Sequence, residues 1–313
     1  MIYGMTMKGA WKITKQTFSG FIDNKVLKLS AALAYYTVFS LPGLIIVVIW
    51  ISDIFYGDKA VEGTVYGQIA GLVGKDAAMQ IQQTIRNATL SYESGFAATV
   101  GIATLIFGAT SIFGEIQDSI NSIWKLKAKP KKGWLKLIIN RLLSFSIIIT
   151  LGFLLMVSLI INALMDAFIN KLTGIFPHTE VIIAYIFNLL LSFIITSFLF
   201  GLIFKVLPDA KIEWRHVRAG AFTTALLFMI GKLGISYYLG HNRLTSAYGA
   251  AGSVIVILLW VYYSATILYF GAVFTRVYAI HKGSAIYPDD YAVWIEEVEI
   301  ESDRSVQEQA GDV

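Results

Sequence analysis

Long apolar runs separated by short polar connections set the pattern of this chain. A bilayer core about 30 Å thick takes roughly 20 apolar residues of helix. Six runs meet that length: Leu29–Ile54, Phe96–Phe113, Leu137–Leu164, Val181–Leu207, Val217–Leu239 and Ser253–Ala279. None has the strict alternation of a barrel strand. The second run is the most polar, with Thr99, Thr104, Thr110 and Ser111. Small and hydroxylated residues let helices approach closely in lipid, so this run reads as an interior span. The predicted fold class is an all-α membrane protein, a bundle of six transmembrane helices.

The polar segments divide the chain further. Residues 1–28 form a basic arm in which Lys8, Lys12 and Lys15 share one helical stripe and Trp11, Phe18 and Ile22 the adjoining one. That pattern predicts an N-terminal interfacial helix lying flat in the inner headgroup layer, the alternative being a solvated arm. Residues 29–283 are the six-helix domain. Its outer segment, 57–94, is too polar to cross. Val65, Ile69, Leu72 and Val73, then Ile81 and Ile85, recur there at helical spacing and predict two short amphipathic helices on the outer face. Residues 284–313 are acidic and lack periodicity despite Tyr291, Trp294 and Ile295, so a mostly disordered tail is expected. The first run is too long for a signal-peptide core and has no small-residue cleavage site.

Composition agrees with the spans. Hydrophobic residues make up 56% of the chain and charged residues 15%, against roughly 45–50% and 25% in soluble domains. An ordinary cytosolic enzyme is excluded. The absence of cysteine removes disulfides and thiolate chemistry. The net charge of +4 hides an asymmetry, since nine acidic residues and one basic residue follow Gly283. Of the 25 Lys and Arg, 19 fall in the N-terminal arm, the second and fourth connections and the tail region. Both termini are therefore expected on the cytoplasmic side. A basic excess beside apolar runs points to membrane lipids and their anionic headgroups as partners, and away from nucleic acid.

Few residues suggest chemistry. By this topology His178 and His241 face outward and His216 and His281 inward, so neither aqueous face holds the three nitrogen ligands of a hydrolytic zinc site. The Gly-x-Ser-x-Gly, P-loop and Rossmann glycine patterns are missing. No catalytic residue, metal or cofactor is expected, and the chain reads as a non-enzyme. Charge at membrane depth costs about 2.5–3.5 kcal/mol or more, which singles out Lys232. It either snorkels or pairs with Asp53 or Asp166, or it lines a water-filled cavity that receives an anion. Glu115, Asp118 and Asn121 form one polar stripe near the inner interface, suited to pairing with the Lys125–Lys136 cluster or to binding a cation or proton. Asn188 and Thr196 are candidates for interhelical hydrogen bonds. Ser40-Leu41-Pro42-Gly43 predicts a kink or unwound turn in the first span, a feature of transporter sites and of inert bundles alike.

Four stretches resemble the YihY/virulence factor BrkB family of bacterial inner-membrane proteins. They are Leu29–Pro42 (LSAALAYYTVFSLP), Gln117–Trp124 (QDSINSIW), Leu207–Trp214 (LPDAKIEW), and Tyr248–Ser253 (YGAAGS) running into Leu259–Tyr262. The resemblance covers about residues 8–282 and implies six helices with both ends cytoplasmic in a bacterial inner membrane. The family pattern near the end of the sixth span usually reads Gly-Ala-Glu, where this chain has Gly271-Ala272-Val273. The family has also carried a ribonuclease label, for which these residues offer no metal ligands or acid–base pair. The expected function is a transporter or channel-like protein for an amphiphile, lipid or anionic solute, with Lys232, Pro42, Ser40, Asn188, Thr196 and Asp53 as cavity or pathway residues. The alternative is a non-transporting scaffold for the envelope or cell surface, with a homo-oligomer or an envelope protein as partner.

Overall fold

The computed structural model describes residues 7–40, 111–129, 180–241, 251–284 and 286–296. In chain order these hold α1 (Met7–Asp23), α2 (Val26–Ser40), α3 (residues 111–123), β1 (Leu126–Ala128), α4 (Glu180–Val206), β2 (Ala210–Lys211), α5 (Trp214–His241), α6 (Ala251–His281), β3 (Tyr287–Pro288) and β4 (Ala292–Trp294). Three helices, α4, α5 and α6, are long and apolar enough to cross a membrane, and they overlie the fourth, fifth and sixth expected spans within three residues at each end. Helix α2, 15 residues long and apolar on the whole, covers the start of the first span. The rest of that span, nearly all of the second, the whole of the third, the outer segment 57–94, and Pro42 and Asp53 lie outside the described residues.

Each helix ends where the backbone requires it. Pro208 lacks an amide hydrogen and disfavours helix at the residue before it, and α4 stops at Val206. Lys25 and Lys125 take positive φ values of 51° and 59° just past α1 and α3, the left-handed turn that closes helix C-termini. There the Lys25 amide donates to the Ile22 carbonyl at 2.9 Å and the Lys125 amide to Ser122 at 3.0 Å.

Helices α5 and α6 form the axis of the described bundle. Gly220 and Thr224 on α5 face Thr275 and Gly271 on α6 in a reciprocal arrangement. A methyl group on Gly220 would overlap the Thr275 side chain, and one on Gly271 would overlap Thr224. Each threonine turns its hydroxyl back to the glycine carbonyl of its own helix, at 2.7 Å in both cases, so the close approach leaves no polar atom unpaired. Small residues that let backbones meet are the usual means of helix association in lipid, where apolar burial brings little. Helix α4 packs along α5, and α1 lies against α6. In α1 the buried positions are Ile13 and Thr17, and Phe18 and Phe21 meet Phe270 with ring centroids 5.5 and 5.9 Å apart.

The core gathers at one end of the bundle. Trp124, fully buried, joins Ile120, Ile123, Phe204, Val217, Ala272 and Val273 there, and its indole nitrogen donates to the Ala272 carbonyl at 3.0 Å. Toward the opposite end the outward faces stay apolar: Leu190, Ile194 and Phe198 on α4 and Phe222, Leu226 and Ile230 on α5 recur every fourth residue and are all about half exposed. In water such a surface is an aggregation hazard. In lipid it is the solvated face.

The same end carries two short antiparallel sheets. β1 pairs with β4, setting Leu126 opposite Trp294 and Ala128 opposite Ala292. β2 pairs with β3, setting Ala210 opposite Pro288 and Lys211 opposite Tyr287. Two short stretches of the tail thus pair with strands remote in sequence, and each is too short to show a period of its own.

The Gly–Thr contacts set a test. Gly220→Leu and Gly271→Leu are each expected to lower stability by about 1–3 kcal/mol, the usual cost of overpacking. Gly234→Ala, with open space around it, is expected to leave stability unchanged or slightly raised. Thermal melting of the detergent-solubilised variants decides between these outcomes.

Candidate functional site

At the strand-bearing end, two of the resembling stretches meet. Asp209, 2% exposed, sits in the turn between α4 and α5 that Pro208 opens. Asn121 on α3 faces it and is 4% exposed. The Asn121 amide nitrogen donates to Asp209 Oδ2 at 2.9 Å, and the Asp209 backbone amide donates to Asn121 Oδ1 at 2.9 Å. Gln117, one turn earlier on α3, donates to Asp209 Oδ1 at 2.8 Å. Hydrogen bonds to a charged acceptor contribute about 1.5–3 kcal/mol each, more than neutral ones. The Asp209 carbonyl accepts the Asp289 amide at 3.0 Å, and the Tyr291 hydroxyl also bonds to Asp209. One side chain therefore joins α3, the α4–α5 turn and the tail.

The electrostatics of the tail follow from this packing. Burial, then the neighbouring Asp209 and Asp289 carboxylates, raise the Tyr291 phenol above its ordinary range. Burial likewise raises Asp289, against the pull of Lys211. Asp290 is exposed and ion-paired with Lys211 at 2.6 Å, and that bond holds its carboxyl below the ordinary range. The stabilisation from a lowered carboxyl is present above its unfolded pKa and lost as pH falls through the folded one. Exposed pairs of this kind contribute little.

Of the expected inner stripe, Asn121 thus belongs to the Asp209 junction, and Asp118 is exposed on the outer side of α3. Glu115 lies two residues beyond the end of the second expected span and is half buried. Ser119 Oγ donates to its Oε1 at 3.3 Å. Burial pushes the Glu115 carboxyl up, the Ser119 bond opposes this, and the Asp118 charge adds to the rise. From α6, the fully buried Tyr269 side chain lies beside Ser119 and Glu115, and its hydroxyl makes no well-aligned hydrogen bond among the described residues. Tyr269 carried no signal in the sequence, because one tyrosine in an apolar run looks like any other core aromatic.

Away from the strand-bearing end, a groove of about 520 Å³ runs between α4 and α5. Leu190, Phe193, Leu226, Met229 and Leu233 line it with Lys232, and Ser192 adds a hydroxyl. Lys232 is exposed and has no carboxylate within ion-pairing distance among the described residues. Its suggested partners Asp53 and Asp166 lie outside the described residues. Thr196 is half buried on α4 and is not a lining residue. Asn188 sits in the α4 helix one residue before Leu189, which lines the groove. Ser40 at the end of α2 is buried and donates to the Thr37 carbonyl at 2.8 Å. Of the expected pathway residues whose side chains are described, Lys232 lines the groove, and Ser40 and Thr196 do not.

Among the described residues, no three His, Asp or Glu side chains come close enough to hold a metal ion. Val273, where the resembling family usually has glutamate, is 2% exposed and packs its methyl against Gly20 of α1. Asn121→Ala and Asp209→Ala are each expected to destabilise by about 1–3 kcal/mol, since both leave buried polar partners unsatisfied. Both should also speed protease cleavage within 284–296, whereas Lys211→Ala leaves melting temperature and cleavage unchanged.

The family profile described as Virulence factor BrkB matches residues 17–290. Among curated proteins, a UPF0761 membrane protein of Pseudoalteromonas atlantica is 28% identical over 247 residues, covering 78% of this chain and 78% of its own. UPF0761 membrane proteins of Xanthomonas campestris are also 28% identical, over 254 residues, and there the match spans 57% of the relative. One of Stenotrophomonas maltophilia is 27% identical and is covered to 55%. No solved structure matches. With nearly the whole helical region inside the matched range, the chain belongs to the BrkB family of integral membrane proteins.

Proposed function

We propose that the protein sits in the bacterial inner membrane with six spans and both termini cytoplasmic, and that it is a transporter or channel-like protein for an anionic amphiphile, lipid or solute. The observation that carries this reading is Lys232: a cation within an apolar span, open to a groove between two membrane-long helices, with no described carboxylate to neutralise it. Such a charge is costly in hydrocarbon unless water or an anion reaches it. The groove volume falls within the ~300–1,000 Å³ of small-molecule sites, and its apolar walls with one fixed charge suit an acyl chain carrying an anionic head. The reading is of a non-enzymatic protein, in which movement follows a gradient or a partner.

Helix α1 supports the orientation. Lys8, Lys12 and Lys15 are exposed along it, as are Trp11, Phe18 and Ile22. A helix with lysines beside exposed aromatic and aliphatic groups suits the headgroup layer, where each lysine near an anionic surface contributes about 1 kcal/mol. The exposed Tyr287 and Trp294 of the tail strands favour a second reading, a scaffold that presents this end to an envelope partner.

Purified protein in liposomes is expected to move a fluorescent anionic amphiphile faster than empty liposomes do. Lys232→Ala should slow it roughly tenfold, about 1.4 kcal/mol, and Lys232→Arg should largely retain it. Wild-type vesicles no faster than protein-free ones would leave the scaffold standing. In that case Trp294→Ala, and not Lys232→Ala, should abolish cellular function.

A further inference from the structure

The transport reading makes no use of the polar cluster between α3 and α6, where three features coincide. Glu115 is half buried; among the described residues its carboxylate accepts one hydrogen bond, at 3.3 Å from Ser119, and has no cation against it. Tyr269 reaches the same place from α6, 0% exposed, beside Ser119 and with a hydroxyl that makes no well-aligned hydrogen bond among the described residues. Among the described residues, the titratable groups set against Glu115 are Asp118, on its own helix, and Tyr269.

A buried hydroxyl without a partner costs about 1–3 kcal/mol, and a native protein keeps one only for a reason. A half-buried carboxylate without a counter-charge is costly too. Both problems have one solution. A protonated carboxyl gains an O–H donor, and the Tyr269 oxygen offers the matching acceptor across the helix contact. An ionised carboxylate can only accept, from Ser119 and from the Tyr269 O–H. The two protonation states therefore join α3 to α6 by differently directed bonds. A metal ion fits poorly, since one carboxylate, one serine and one phenol fall short of the six or more oxygens Ca²⁺ takes.

We propose that Glu115, Ser119 and Tyr269 form a proton-binding site at the α3–α6 contact. A hydronium ion delivers its proton to the Glu115 carboxylate and leaves as water, and the neutral acid then bonds to Tyr269. The proposal deepens the transport reading and rests on it only for the purpose of the proton, which would supply the coupling ion. The binding itself stands apart.

Infrared difference spectra of the full-length protein in detergent, recorded across pH, test it. The wild type is expected to show a protonated-carboxyl band that titrates above the ordinary glutamate value of about 4.3 and is absent from Glu115→Gln. Tyr269→Phe should keep the band and shift its frequency. Asp118→Asn should keep it and lower its midpoint, because a like charge is gone. These two variants decide the matter even where Glu115→Gln does not fold. A spectrum without such a band above about pH 5, or a band that Glu115→Gln leaves in place, overturns the proposal. A carboxylate signal that responds to Na⁺ at constant pH overturns it equally. Because the measurement needs no transport, a titrating Glu115 in a protein that moves no amphiphile would remove the transport reading and leave this site. Active transport with a silent Glu115 would do the reverse.

Discussion

Backbone contact between α5 and α6 is the constraint on which the described structure hangs. In hydrocarbon two apolar helices have little to gain by hiding from solvent, so association depends on how closely their atoms meet. Gly220 opposite Thr275 and Gly271 opposite Thr224 bring that separation to the limit a side chain allows. The threonine hydroxyls would be a liability there, but each is consumed by a carbonyl one turn back on its own helix. With this pair fixed, α4 has a surface on α5 to pack along, and α1 and Trp124 have α6.

The strand-bearing end answers a different problem. Connections between spans emerge with unpaired backbone groups, and such groups must find partners where the bundle is still packed. Here the partners are remote in sequence. Asp209 binds α3 through Asn121 and Gln117 and receives the tail through the Asp289 amide, while the two residues after it pair as a strand with Tyr287 and Pro288. The tail is held by these bonds and by Ile286, which is buried in the core, while Tyr287, Val293 and Trp294 stay exposed. The bundle thus has one polar, interlocked end and one end whose only described charge at depth is Lys232.

Glu115 and Tyr269 stand between these regions. They occupy the contact between α3 and α6, one turn or more away from the Trp124 and Asn121 bonds that lock the same helices together.

Run length and Lys/Arg placement carried much of this architecture in the chain itself. The fourth, fifth and sixth spans, the helical arm at 7–23 and the family motifs were all legible, because apolar length and helical period are local properties that lipid reads directly. Glu115, Asp118 and Asn121 were visible as a stripe, but their separate fates were not. Asn121 meets Asp209, 88 positions away, and Glu115 lies beside Tyr269 of a distant helix, while Asp118 is exposed. The strand pairing of the tail was hidden for the same reason, since strands of two or three residues have no period and exist only through their partners. Which residues must lie in lipid follows from transfer energies summed along the chain. Which polar atoms meet, and which glycine receives a neighbour's threonine, was decided only when the helices crossed.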